Sequence, residues 1–411
     1  MEVNSFFTPI WLIVLASFAV ASTTGATGNV FTYPKESLAC KEYDGIILDC
    51  SYRKLTGVPT FNSNYTKTLD LNYNSLKTIT DRPFRNLLSL RYLYLADNQI
   101  SVINNDAFYG LSQLESLYLQ NNVNYLHIIG APFEQTPSLV QLDLSNNRIH
   151  DLSSTTFNGL WNLQTLDLSH NLIQTMPGGI FNHLQHLRLL DLSENFMKII
   201  PSHAIASLHS LRTFDMNWSL ITLPYFGQEF STLHNLTEIM FAVSNDSVPT
   251  ILTEDTFRHL GDTQLKHLVF VFPWNAVIDK EIFNPLKYIS DLEITGTADS
   301  ILALQSLNTE LENLTLDDLS LTTINATTFI PMWNLKSLKI LGKRYKLEQS
   351  LQRIEDASFQ WFPSLKELSL KGNQLEYIDM NAFAGLNQLD KLDLSENSLA
   401  TLPVAALTQI F

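Results

Sequence analysis

Cysteine is nearly missing from this 411-residue chain, which holds only two. A fold stapled by several disulfides is therefore excluded, and no Cys/His cluster stands at metal-ligand spacing. Glycine is scarce as well, with 15 residues, and none forms a phosphate-cradling or dinucleotide-binding turn. With no nucleophile motif either, the chain reads as a non-enzyme that needs no cofactor and no metal. Basic residues are outnumbered, 26 Lys and Arg against 41 Asp and Glu, for a net charge of −15. Protonating all 10 histidines would still leave the chain negative. A broad electrostatic grip on nucleic acid is disfavoured even in an acidified compartment. No apolar run reaches the ~18 residues of a membrane span, so this chain has no insertion segment of its own. The one apolar stretch, Ile10 to Val20, ends in the small residues Ala19-Val20-Ala21 and reads as a secretory signal peptide over residues 1–21, although it is preceded by no Lys or Arg.

What the chain has in abundance is one apolar skeleton, repeated. Its clearest copy is Leu163-Gln164-Thr165-Leu166-Asp167-Leu168-Ser169-His170-Asn171-Leu172-Ile173, followed by Phe181 and Leu184. Fourteen units begin at Thr66, Leu90, Leu114, Leu139, Leu163, Leu187, Leu211, Leu236, Leu265, Ile289, Leu311, Leu335, Leu365 and Leu389. This is the leucine-rich repeat signature at its usual length. The fold expected is α/β, a right-handed horseshoe solenoid of about 14 repeats with one parallel sheet on its concave face. One unit cannot bury its own leucines, whereas stacked units bury each other's. An asparagine column (Asn74, Asn98, Asn122, Asn147, Asn171, Asn195, later Asn373 and Asn397) sits where buried turns need hydrogen-bond partners. A phenylalanine column including Phe84, Phe108, Phe133, Phe157 and Phe181 is expected to be core on the convex side.

Cys40 and Cys50 lie just ahead of the first unit, and in an oxidising compartment a disulfide closing this short loop is the simplest reading. It would cover the open apolar end of the solenoid. The organisation expected is a leader and two-cysteine cap over 22–65, regular repeats over 66–235, irregular repeats over 236–364 and regular repeats again over 365–411. In the irregular stretch Ser244, Pro273, Thr297, Leu319 and Lys343 replace the asparagine, which should relax turn packing and alter curvature. The last unit stops without a closing cap, so the expectation is a fragment, a truncated isoform or an incomplete gene product.

Candidate contact residues follow from position. A basic insertion in the longest unit, centred on Lys343, Arg344 and Lys346, is the best local place for an anionic ligand. On the sheet, Asp143, Asp167, Asp191 and Asp215 form an acidic stripe that repels phosphates, preceded in the same column by Tyr94 and Tyr118 as contact aromatics. His183, His186, His209, His234 and His259 recur behind the convex phenylalanines, along one edge. Six N-glycosylation acceptors occur, at Asn64, Asn217, Asn235, Asn245, Asn313 and Asn325. Glycans at Asn217 and Asn313 would obstruct part of the concave face and favour a lateral one.

The segment Leu48-Asp49-Cys50-Ser51 with Leu55-Thr56 and Val58-Pro59 resembles the N-terminal cap of Toll-like receptor ectodomains. The units Phe108-Tyr109-Gly110-Leu111 and Phe181-Asn182-His183-Leu184 are similar too. The resemblance covers residues 36 to 411. It implies an innate-immune pattern-recognition ectodomain in the extracellular space or an endosomal lumen, binding a microbial or endogenous ligand, with a receptor homo- or heterodimer as partner arrangement. It also implies that the histidine series acts as a proton switch and that the ladder-free middle is a specialised central subdomain. The chain departs from the family in having no C-terminal cysteine cap, membrane helix or cytoplasmic signalling domain within its 411 residues. A soluble decoy or co-receptor, and a matrix or cell-adhesion scaffold, stand as the alternatives.

Overall fold

The computed structural model describes residues 40–122, 124–245, 249–307, 310–342, 350–401, 403–408 and 410. The signal-peptide segment 1–21 lies outside them, as do Lys343, Arg344 and Lys346 of the basic insertion. Among the described residues no helix is long and apolar enough to cross a membrane.

One sheet of 16 strands organises the chain. Its first two strands, Lys41–Tyr43 and Ile47–Asp49, pair as an antiparallel hairpin, and the second then runs parallel to Thr68–Asp70. The remaining 14 strands follow in chain order, one for each unit counted in the sequence, so the fold is a parallel leucine-rich repeat solenoid. Among the described residues helix is confined to the single turns Ser202–Ile205 and Val404–Leu407 and to 3₁₀ segments, the longest Ala298–Ser306. A unit of about 24 residues returns to the sheet through turns, with no room for a long crossover helix.

The disulfide Cys40–Cys50 closes around the hairpin. Leu48 and Cys50 are buried against the first repeat, and Asn74 Oδ1 accepts the backbone N–H groups of Arg53 and Leu55 at 2.9 and 3.0 Å. The cap is thereby wired into the ladder it protects.

The asparagines do what buried turns require. Asn171 Nδ2 donates to the carbonyls of Leu144, Leu168 and Ser169 at 3.0, 2.9 and 3.1 Å. Its Oδ1 accepts the N–H groups of Asn147 and Ile149 at 3.1 and 2.9 Å. One side chain thus satisfies five backbone groups in two units. Beneath the ladder the phenylalanines stack: Phe84, Phe108, Phe133, Phe157 and Phe181 have successive ring centroids 6.3, 5.5, 6.3 and 5.9 Å apart, and all are buried.

Where the ladder lapses, the strands lengthen. The units from Thr68–Asp70 to Leu189–Asp191 have three-residue strands. Thr213–Ile221 has nine residues, Glu238–Val243 six, and His267–Val271, Asp291–Thr295, Asn313–Asp317 and Ser337–Leu341 five each. With no asparagine to turn the chain, its backbone groups find partners by extending the parallel ladder through Val271, Thr295, Asp317 and Leu341. Turn packing is not simply relaxed here; it is exchanged for a wider sheet. The change begins one unit earlier than the sequence reading placed it, because Ser219 already stands where Asn195 stands in the unit before. Inside these units a cluster of Phe226, Phe241, Phe257, Phe270, Phe272 and Phe283 fills the interior, with Phe270 and Phe272 edge-on at 4.4 Å.

Truncating Asn171 to Ala should destabilise the chain by about 2–4 kcal/mol, since it orphans several buried backbone groups at once. Asn397→Ala, in a half-buried unit, should cost about half as much. Urea unfolding of the two variants checks this, and equal losses would mean that ladder burial is not what sets the cost.

Candidate ligand-binding surfaces

Strand alternation sends each Leu of the Leu-x-Leu core inward and its neighbours to the sheet face. On that face the register aligns Asp143, Asp167, Asp191 and Asp215 across four adjacent strands, about 4.8 Å apart. Each carboxylate also holds its own turn. Asp143, Asp167 and Asp191 accept the backbone N–H and the hydroxyl of Ser145, Ser169 and Ser193, at 2.9 and 2.7 Å in each case. Asp215 lacks the serine and accepts only the N–H of Asn217, at 2.8 Å. Burial raises all four acids, and the neighbouring carboxylates add to it: Asp143 and Asp167 are pushed up to about 6 and Asp215 to about 8. Asp191 is raised for the same first reason, against the pull of its Ser193 hydrogen bonds and of His170.

Tyr94 and Tyr118 continue this column on the preceding strands. Their rings stack in parallel with centroids 5.0 Å apart, and Tyr118 Oη donates to Gln141 Oε1 at 3.0 Å. The sequence-predicted aromatics and acids therefore form one continuous strip.

The strip gives way to Met240 and Val269 and then to a polar depression of about 240 Å³ on the wide part of the sheet. His267, Asp291, Glu293, Asn313, Thr315, Ser337 and Lys339 line it, with Leu292. His267 Nδ1 lies 2.9 Å from Glu238 Oε1, and Glu238 Oε2 accepts from Thr213 Oγ1 at 2.9 Å. The hydrogen bond to Glu238 raises His267 against its burial, with Asp291 and Glu293 adding to the rise. The same bond lowers Glu238. Sequence reasoning missed this pair because it looked for histidines only behind the convex phenylalanines. The available signal was strand position, since Glu238 and His267 occupy the same place in consecutive units.

Each of the five histidines singled out from the sequence has its own local partner. His183 Nδ1 accepts the N–H of Gly159 at 3.0 Å and its ring stacks on Trp161 at 4.3 Å, while His186 Nδ1 sits 2.8 Å from the Trp161 carbonyl. His234 lies 3.4 Å from the Asp262 carbonyl, His259 Nε2 lies 3.2 Å from Tyr225 Oη, and the His209 carbonyl accepts from Asn235. Among the described basic residues flanking the insertion, Lys336 pairs with Glu312 at 2.6 Å, Arg353 with Asp379 at 2.8 Å and Lys371 with Glu396 at 3.2 Å.

A second surface was not anticipated. In the segment that follows the ladder position, or its equivalent, the outward side chain is Thr78, His127, Asp151 or Thr175 in early units and Thr323 or Arg353 in late ones, with Val102, Tyr377 and the half-buried Ile301 as exceptions. In four consecutive units between, it is Ile199, Leu223, Ile251 and Val277, exposed by 55, 64, 70 and 55%. A backbone bridge joins Ile199 to Leu223, and Ile251 pairs with Val277. Phe196, Leu220, Tyr225 and Trp274 from the same units are exposed as well.

The family model for the leucine rich repeat matches residues 65–123, 137–180, 162–221 and 348–399. The unmatched stretch between 221 and 348 contains the wide-sheet strands from Glu238–Val243 to Ser337–Leu341, while the nine-residue strand Thr213–Ile221 lies within a matched range. The chain is similar to Leucine-rich repeat-containing G-protein coupled receptor 5A of Xenopus laevis, 42% identical over 84 residues, covering 20% of this chain and 9% of that protein. It is similar to Toll-like receptor 3 of Bos taurus, 30% identical over 165 residues, covering 37% of this chain and 18% of the receptor. The similarity thus spans less than a fifth of either relative. A solved leucine-rich repeat protein of Leptospira interrogans superposes with a TM-score of 0.59 at 21% identity, over 89% of this chain and 94% of that one, and shows the same fold.

The carboxylate column makes stability depend on pH. An acid raised from its ordinary 3.8 to about 6 or about 8 binds its proton more tightly in the folded state. Its contribution is complete below pH ~4 and is lost as pH rises through the folded value. His267, also raised, acts in the same direction. The melting temperature should therefore climb as pH is lowered from about 8 to about 5, and Asp215→Asn should flatten the upper part of that rise. A flat profile by calorimetry in the unsubstituted chain would refute the account.

Proposed function

We propose that this chain is the ligand-recognising part of an extracellular or lumenal innate-immune receptor, comparable to a Toll-like receptor ectodomain. It takes its microbial or endogenous ligand on the surface of the solenoid. The observation that carries the reading is the aliphatic row Ile199, Leu223, Ile251 and Val277 with its flanking aromatics. Exposed apolar side chains scattered singly are ordinary on a soluble protein, whereas a run of them in four successive units calls for a partner. Core packing does not explain the row, because the equivalent position is mostly polar in the other units. The partial similarity to Toll-like receptor 3 and the two-cysteine cap around Cys40 and Cys50 support the receptor assignment. The sheet face adds selectivity: its carboxylate column disfavours polyanions, and the Tyr94–Tyr118 stack offers a flat aromatic contact.

The test uses the chain fused to the membrane span and signalling domain of an innate-immune receptor and exposed to a panel of microbial and host products. At least one product class should drive a reporter, and Leu223→Asp with Ile251→Asp should abolish that response. Both side chains are solvent-exposed, so the melting temperature should stay nearly unchanged. A response that survives both substitutions would move the site away from the lateral row. Silence toward every product in a well-displayed chain would favour the matrix or adhesion alternative.

A further inference from the structure

We infer that Asn313 carries an N-linked glycan whose first sugar seats in the sheet-face depression beside it and closes the central units to other ligands. The inference rests on the extracellular or lumenal reading above. Asn313-Leu314-Thr315 has the acceptor pattern. Asn313 opens the strand Asn313–Asp317, and alternation turns Leu314 inward while Asn313 and Thr315 face the same side. Both line the depression of about 240 Å³. At ~30 Å³ per water that volume holds about eight waters, the scale of one monosaccharide.

The geometry around the amide suits attachment. Asn313 is exposed, and its Nδ2 donates one hydrogen to Asp291 Oδ1 at 2.5 Å. A primary amide has two hydrogens. Glycosylation replaces one and leaves the other, so the bond to Asp291 can persist and orient the sugar over the depression. The lining then offers both hydrogen-bonding senses that hydroxyls and an acetamide require. Asp291 and Glu293 accept, Lys339 donates, and Ser337 and Thr315 do either. In the covalent step Asn313 Nδ2 bonds to C1 of the N-acetylhexosamine at the reducing end of a polyprenyl-diphosphate-linked oligosaccharide. The C1–O bond breaks with its electron pair leaving on the diphosphate, and the amide proton passes to a carboxylate of the transferase. Nothing is oxidised or reduced.

The other acceptor on this sheet behaves differently. Asn217 is half-buried and its carboxamide oxygen is enclosed, while its N–H caps Asp215. A glycan there would have to pull that side chain out of the strand Thr213–Ile221. The structure therefore separates two acceptors that sequence alone treats alike: Asn313 is modified and Asn217 is not. The sheet face left open is the strip from Tyr94 to Asp215.

The experiment takes the full chain secreted from animal cells and maps its glycopeptides by mass spectrometry. The reactivity of His267 toward diethyl pyrocarbonate is followed in parallel. Asn313 should be glycosylated and Asn217 bare, with His267 reacting several-fold faster in Asn313→Gln and Thr315→Ala than in the unsubstituted chain. Thr315→Ser, which preserves the acceptor, should keep both the glycan and the protection. The exposed His203 should react equally in all four. Should a variant fail to fold, enzymatic removal of glycans from the folded unsubstituted chain must expose His267 in the same way. An unmodified Asn313 in a chain glycosylated at Asn235 or Asn325 overturns the inference and leaves the receptor reading standing. A glycan on Asn313 that leaves His267 equally reactive overturns the seating. A chain that bears no glycan and never enters the secretory pathway overturns the extracellular reading itself.

Discussion

Each unit of this solenoid must satisfy the same buried backbone groups at the turn where the chain leaves the sheet, and the means of doing so sets the width of the sheet. An asparagine at that turn serves up to five backbone partners, as Asn171 does, and lets the chain turn after three residues. Without it the same groups pair strand to strand, and the strand runs on to five residues or more. Both solutions supply hydrogen-bond partners to backbone groups at the turn, which is the constraint that governs. The interior adjusts accordingly, from single stacked phenylalanines under the ladder to an interlocked cluster around Phe270 where the ladder is gone.

That substitution has consequences on the outer face. A wider sheet carries more side chains per unit toward solvent, and the polar depression around Asn313 lies wholly on wide units. The narrow units present the acidic strip, where each aspartate must hold its turn and sit beside its neighbours' charges at the same time. The turn-holding hydrogen bonds favour the ionised form; burial and crowding oppose it, and at Asp143, Asp167 and Asp215 the opposition wins. Asp215 rises to about 8 where Asp143 and Asp167 reach about 6, first through burial and then through the neighbouring Asp191, and its turn supplies one opposing donor where theirs supply two.

What could be read in the sequence was what repeats. The fourteen strands, the asparagine ladder, the phenylalanine core and the capping disulfide all follow from spacing, because a periodic core writes itself once per unit. The exceptions were harder to see. Ser219 passes for a mild variant of asparagine, yet it is the point where the strand grows to nine residues. His267 and Glu238 are 29 residues apart in sequence and become neighbours only through strand register, across a unit of unusual length. The aliphatic row was legible in principle, as an outward residue in the segment that follows the ladder position. It looks unremarkable in any one unit, and becomes informative only when four successive units are compared with the polar residues on either side.

Two surfaces of opposite character therefore coexist on one scaffold. The sheet face is polar and acidic, shaped by the needs of turns and register, so part of its chemistry is structural in origin. The lateral row is apolar without any structural demand for it: the residues inside its strands, Ile200 and Leu252, already supply the core contact. A feature the fold does not need is the stronger sign of recognition. The acidic strip sets the charge of the sheet face. Where its carboxylates ionise, the strip favours a cationic partner and disfavours a polyanion, more strongly as salt falls.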